Sequence, residues 1–255
     1  MTSGTVRLER QGQVADLVLD RPQRLHALTL AMLDEIDVHL DKLADDDTVA
    51  VVRVRSAGSS CFCAGADLDE FAAHTPSDIW RRWNRRGQEV FARLAGLPHP
   101  SIAVLHGHAL GGGLELALHC DLRVAAITAR LGLPETTVGT IPGWSGVPRL
   151  AELVGPGRAR LMILTGRLLD APVAYDWGVV EVVAEPADLD AAVDRLTAEL
   201  LDRPVVAMRL ARELLARSGS PERLAGALAA ATGTTAGRLA AAQKAQKEAD
   251  HAGLR

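Results

Sequence analysis

The sequence predicts an α/β fold with crossover connections and a helical C-terminal region. Three observations carry that expectation. Short apolar runs bounded by Gly, Ser or Pro alternate with stretches of helical periodicity up to about residue 157. Two places, CAGADL (63–68) and LGGGLE (110–115), combine a strand end, glycine and a helix start. Beyond Gly157 helical patterns dominate, and only VVEVVA (179–184) reads as extended.

In chain order, Val6, Leu8, Val14, Leu17 and Leu19 alternate weakly and suggest a hairpin that Asp20-Arg21-Pro22 breaks. Thr29 can cap a helix running to Leu43, with Met32, Leu33, Ile36 and Leu40 on its apolar face. Asp45-Asp46-Asp47 ends it. AVVRVR (50–55) reads as a strand, and residues 77–96 as a helix carrying Ile79, Trp80, Trp83, Val90, Phe91 and Leu94. SIAVLHG (101–107) reads as a buried strand running directly into the glycines at 111–113. A helix from Leu114 to His119 and a strand at 121–126 follow. Helical segments are expected at 159–164, 171–177, 189–201, 205–215 and from 224 to about 249, the last rich in alanine. The division that results is a core at 1–190 and a helical region at 191–255.

Bulk composition narrows the function classes. The 255 residues carry a net charge of −4, which argues against a phosphate-backbone binder. Aromatic residues make up 3%, so the core must be built from Leu, Val, Ile and Ala. No apolar stretch reaches the ~18 residues of a membrane span, and the N-terminus lacks the apolar core of a signal peptide. The expected address is the cytoplasm. Cys61, Cys63 and Cys120 fit a reducing compartment as small buried residues, and no His or Cys spacing matches a metal site.

A strand that ends in glycine and turns into a helix presents free backbone N–H groups at the positive end of the helix dipole. Such a nest can hold a phosphate or a developing oxyanion, or can simply be tight packing with no ligand. Neither glycine run has the Lys-Ser/Thr or the glycine spacing of a nucleotide cradle. Glu115 stands in the first turn of an otherwise apolar helix, and Glu135 follows Pro134 in another run rich in Gly and Pro. Burial raises a carboxyl pKa, and a neighbouring carboxylate raises one of a pair further. An acid/base pair working near neutral pH needs that shift.

From about Val14 to about Ala211 the chain resembles the crotonase, or enoyl-CoA hydratase/isomerase, superfamily. LDRPQRLHALTLAMLDEI, CFCAGADL, HALGGGLELALHCDLRVAA, LGLPETTVGTIPGWSGVPRL and LTGRLLDAPVAYDWGVVEVV follow in that family's order. The resemblance implies a spiral of ββα units with a helical C-terminal trimerisation region, hence a homotrimer or a dimer of trimers. It implies an acyl-CoA thioester substrate, with coenzyme A part of that substrate and no separate cofactor, metal, nucleic acid or membrane partner. The backbone N–H groups of Ala66 and Gly112 would form an oxyanion hole. Glu115 and Glu135 match two acids that, in the family's hydratases, hold a water between them. Arg24, Ala27, Ala64, Asp67, Leu68, Gly111, Trp144 and Lys244 would meet the substrate or its CoA moiety. The expected reaction is syn addition of water to a trans-2-enoyl-CoA, giving a 3-hydroxyacyl-CoA. Double-bond isomerisation or another specialised step is the near alternative, and a non-catalytic binding protein, RNA binders included, the remote one.

Several positions depart from the family pattern or have a second reading. His26 stands where Asn is frequent, and Asp69 where some hydratases carry Lys. The family's C-terminal signature is reduced to AGRLAAAQKAQKEAD, in which Lys244 remains. Trp144 replaces a small residue and either reshapes the acyl pocket or packs between subunits. Trp80 and Trp83 either line that pocket or, more simply, pack in the core. Asp67 fits a helix N-cap better than a catalytic acid. His106, His108 and Asp121 read as structural.

Overall fold

A computed structural model describes residues 4–58 and 60–215, together with Lys244. The chain divides into two compact units, Met1–Leu200 and Leu201–Arg255.

The first unit is built on two sheets. Strands β1 (Thr5–Gln11) and β2 (Val14–Asp20) form the expected hairpin, antiparallel and in register from Thr5 opposite Asp20 to Gln11 opposite Val14. β3 (Val51–Ser56) continues the sheet parallel to β2, and β4 (Cys61–Cys63) starts the second sheet. Next come β5 (Ser101–Leu105), β6 (His108–Leu110), β7 (Leu122–Ala126), β8 (Arg130–Gly132), β9 (Leu169–Asp170) and β10 (Val182–Ala184). The larger sheet has the order β1-β2-β3-β5-β7-β10, parallel from β2 onward, and the smaller one β4-β6-β8-β9. β5 is buried at all five positions, as a central parallel strand must be.

The first helix, α1 (Leu30–Ala44), starts where the sequence places it, because the Thr29 side chain accepts a hydrogen bond from the Met32 N–H. Its apolar face, Met32, Leu33, Ile36, Leu40 and Leu43, is buried, each side chain contributing about 1.5–3 kcal/mol. α2 (Leu68–Ala72), the single turn α3 (Pro76–Asp78), a π-helical segment at Ile79–Asn84 and α4 (Arg85–Ala95) then follow. The expected helix over 77–96 is thus three pieces, and the π turn changes which faces its tryptophans present. Trp83 is 2% exposed, whereas Trp80 is 73% exposed and overturns the expectation that it packs in the core.

SIAVLHG does not run into the glycines as one strand. β5 ends at Leu105, the chain bends at His106-Gly107, and β6 pairs in the smaller sheet before the glycines begin. A Cβ on Gly107 would overlap the Ser60 carbonyl, a tertiary reason for glycine there. α5 (Gly112–Leu118) is buried along its whole length. α6 (Gly146–Thr165) is kinked at Gly155, where φ is 78°, so the short helix expected at 159–164 is the second half of a longer one. α7 (Ala171–Asp176) and α8 (Leu189–Leu201) match the expected segments. In the second unit α9 spans Val205–Leu215 as expected, and Lys244 is helical and exposed. The remainder of the helix expected over 224–249 lies outside the described residues. Among the described residues no helix is long and apolar enough to cross a membrane.

Candidate active site

β4 and β6 run parallel, with Cys61 opposite His108 and Cys63 opposite Ala109, so both strands deliver their chains to one edge of the small sheet. Past β4, Gly65 adopts φ 102°, and a Cβ there would stand 2.8 Å from the Leu110 carbonyl oxygen and 3.1 Å from the Gly112 nitrogen. Glycine alone tolerates both the conformation and the approach. The next residue, Ala66, forms an isolated parallel bridge with Leu28. That bridge is made by the Leu28 N–H donating to Gly65 (2.7 Å) and the Asp67 N–H donating to Leu28 (2.8 Å). The N–H of Ala66 therefore points away from Leu28. Past β6, Gly111 has φ 51° and α5 begins at Gly112, whose own Cβ would be 3.4 Å from the Ala66 nitrogen. The two loops thus border one cavity of about 190 Å³.

Both acids face this cavity. Glu115, in the first turn of α5, is 1% exposed. Its Oε1 accepts hydrogen bonds from the N–H groups of Trp144 (2.9 Å) and Gly146 (2.8 Å). Burial pushes its carboxyl up to about 7, against those backbone donors, and the charge of Glu135 pushes the same way. A Cβ on Gly146 would overlap the Glu115 side chain, so that glycine makes room for the acid. Glu135 opens a 3₁₀ turn, Glu135–Val138, directly after Pro134. Burial raises its carboxyl as well, and its Oε2 is buried with no hydrogen-bond partner among the described residues. A buried carboxylate oxygen left without a partner at a cavity is poised for a donor from outside the chain.

Ala64, Leu68, Gly111 and Trp144 line the cavity beside Ala66, Gly112, Glu115 and Glu135. Arg24, Ala27 and Asp67 are not brought to its wall. Asp67 is the N-cap of α2, accepting from the Glu70 N–H (2.9 Å) and from Arg21 (2.6 Å). Burial alone would raise its carboxyl, but the Glu70 N–H and the Arg21 guanidinium hold it below the usual range. Arg21 also donates to the Ala27 carbonyl (2.8 Å), tying the segment before α1 to the Ala66 loop. Arg24 is ion-paired with the exposed Asp69 and lies 3.6 Å from Asp67. Lys244 belongs to the second unit.

His26, His106, His108 and the three cysteines take structural places. Buried His26 accepts the Arg21 N–H at 3.1 Å, and burial depresses its pKa. His106 contacts the Cys61 carbonyl oxygen (3.1 Å), and His108 accepts from the Arg130 N–H (3.1 Å). Asp121 accepts from the backbone and hydroxyl of Ser101 (2.8 and 2.9 Å), closing the junction between α5 and β7 as expected. All three cysteines are free and buried, and burial pushes Cys61 up to about 11 and Cys63 to about 12. Trp144 is 2% exposed within its own chain, which removes the reading that it packs between subunits.

Sequence reasoning missed Phe71, Ile79, Asn84, Thr137, Val138, Thr140 and Ile141, which also line the cavity. Ile79 and Asn84 are the two ends of the π-helical segment, a hydrogen-bond pattern with no period to read in so short a run.

Comparison with known proteins agrees with this geometry. The model of the enoyl-CoA hydratase/isomerase family matches residues 9–248. A short-chain-enoyl-CoA hydratase from Clostridium acetobutylicum is 39% identical over 189 residues, covering 74% of this chain and 72% of that protein. The crystal structure of an enoyl-CoA hydratase from Bacillus anthracis superposes with a TM-score of 0.84 at 32% identity, over 95% of this chain and 96% of that one. A Thermobifida fusca YX protein crystallised in complex with CoA gives a TM-score of 0.78 at 36% identity, over 92% and 94% of the two chains. The chain belongs to the enoyl-CoA hydratase/isomerase family and has the crotonase fold.

Proposed function

We propose that the protein is an enoyl-CoA hydratase, adding water syn across the double bond of a trans-2-enoyl-CoA. One observation supports the reading: two acids with raised pKa values, Glu115 buried and Glu135 half-buried, line the same cavity as Ala66 and Gly112. The N–H groups of Ala66 and Gly112 receive the thioester carbonyl oxygen, and they hold the negative charge that moves onto it as water attacks the β-carbon. In other enzymes one such donor is worth roughly 3–4 kcal/mol of transition-state stabilisation. One of Glu115 and Glu135 takes a proton from the attacking water, and the other supplies the proton that arrives at the α-carbon. Water adds as H and OH with no electron transfer, so the step balances without a redox cofactor.

Loss of the conjugated-thioester absorbance of crotonyl-CoA and longer enoyl-CoAs measures the reaction. No turnover on any chain length refutes the assignment. Glu115→Gln and Glu135→Gln are expected to lose orders of magnitude in rate while keeping the fold and CoA affinity, whereas a binding protein would be indifferent. The family resemblance supports two coarser proposals, a cytoplasmic enzyme and a C-terminal region that assembles trimers, the latter tested by light scattering.

A further inference from the structure

The Trp144 indole is wedged between two glycines on different elements. A Cβ on Gly87, within α4, or on Gly112, at the start of α5, would overlap the ring. Glycine inside a helix costs about 1 kcal/mol relative to alanine, so α4 gives up stability at the one turn where the indole needs space. The ring is also held in place. Trp83 and Phe91 pack on it with centroids 5.7 and 5.4 Å away, and its Nε1–H donates to the Trp83 carbonyl at 3.3 Å.

Trp144 and Trp83 both line the cavity, and the backbone N–H of Trp144 itself holds Glu115. The indole therefore stands against Gly112, on the same cavity as Glu115. The cavity measures about 190 Å³.

Resting on the hydratase reading, we infer that Trp144 sets the acyl-chain length, closing the cavity behind a short enoyl group and disfavouring longer chains. A longer tail has to displace an aromatic ring held by Trp83 and Phe91. Even one methylene too many in a filled pocket discriminates by roughly 10–200-fold.

The test compares the wild-type full chain with Trp144→Ala and Trp144→Leu. It uses kcat/KM for trans-2-enoyl-CoAs of four, six, eight and ten carbons, and calorimetric Kd values for the saturated acyl-CoAs of the same lengths. Wild type is expected to fall at least tenfold from four to eight carbons. Trp144→Ala should move the maximum to six or eight carbons and raise the eight-to-four ratio at least tenfold. Its affinity for saturated chains should rise about fourfold for each methylene newly accommodated. Trp144→Leu should move the profile the same way by less, and it keeps the test open if the alanine variant fails to fold by circular dichroism. A wild type that accepts ten carbons as readily as four overturns the inference, as does an unmoved profile in a folded variant. Absence of hydration on every substrate overturns the hydratase reading instead, and the binding series then decides the length limit alone.

Discussion

In a Glu115→Gln variant the side chain keeps its shape and can still accept the N–H groups of Trp144 and Gly146, but it can no longer ionise. The wild-type carboxyl titrates at 4.5 when unfolded and about 7 when folded, with burial the leading cause. At ~1.4 kcal/mol per pH unit, that gap is worth about 3 kcal/mol. The sign follows from proton binding. Between pH 4.5 and 7 the native protein holds a proton that the unfolded chain has lost, so stability falls as pH rises through that window. Below it the penalty is absent; above it the penalty is complete. The variant never ionises there and escapes it. Urea unfolding of both proteins at pH 5 and pH 8 should show wild type losing most of those 3 kcal/mol relative to the variant. Hydration by the variant should fall roughly 10²–10⁴-fold at the same time. Parallel pH dependences of stability would refute the claim that Glu115 is strained by burial. A variant still active at the wild-type rate would refute its role in proton transfer.

Glu135→Gln removes the neighbouring charge that raises Glu115, so the Glu115 titration should move toward lower pH, read as a smaller fall of stability that levels off at lower pH. Gly112→Ala brings a Cβ into the Trp144 indole and close to the Ala66 nitrogen; overpacking should cost about 1–3 kcal/mol by denaturation, with a larger proportional loss in kcat. Arg21→Met strands the buried Asp67 carboxylate without its partner, an expected loss of 3–5 kcal/mol. The additional substitution Asp67→Asn should recover part of that loss, and additive effects would show that the two side chains are not coupled.

Features specified by neighbours in sequence were the most legible. The β1–β2 hairpin follows from alternation, and α1 from Thr29 and its five-residue apolar face, all local signals. Glu115 stood out because a lone acid in an apolar run has to be explained, and Glu135 because Pro134 and the glycines around it mark a shaped turn. What escaped was set at a distance. At the His106-Gly107 break the Ser60 carbonyl, just before β4, sits where a side chain would go. The contrast between exposed Trp80 and buried Trp83 depends on a π turn, since the helical period alone puts both in one class. The kink at Gly155 splits a helix of which the sequence reading recovers only the second half, 159–164.

The pairing of β4 with β6 has a consequence for how such a site can diversify. Neighbouring strands in any sheet lie ~4.8 Å apart, a spacing fixed by peptide hydrogen bonds and indifferent to side chains. Because the chains that continue to Ala66 and Gly112 emerge from adjacent parallel strands, the gap between those two amides inherits that backbone ruler. The cavity walls come from elsewhere, chiefly the 71–84 segment and the turns around 134–144. Substitutions in those walls can recut the space for a different acyl group while the spacing of the two amides proposed to hold the thioester oxygen stays constant.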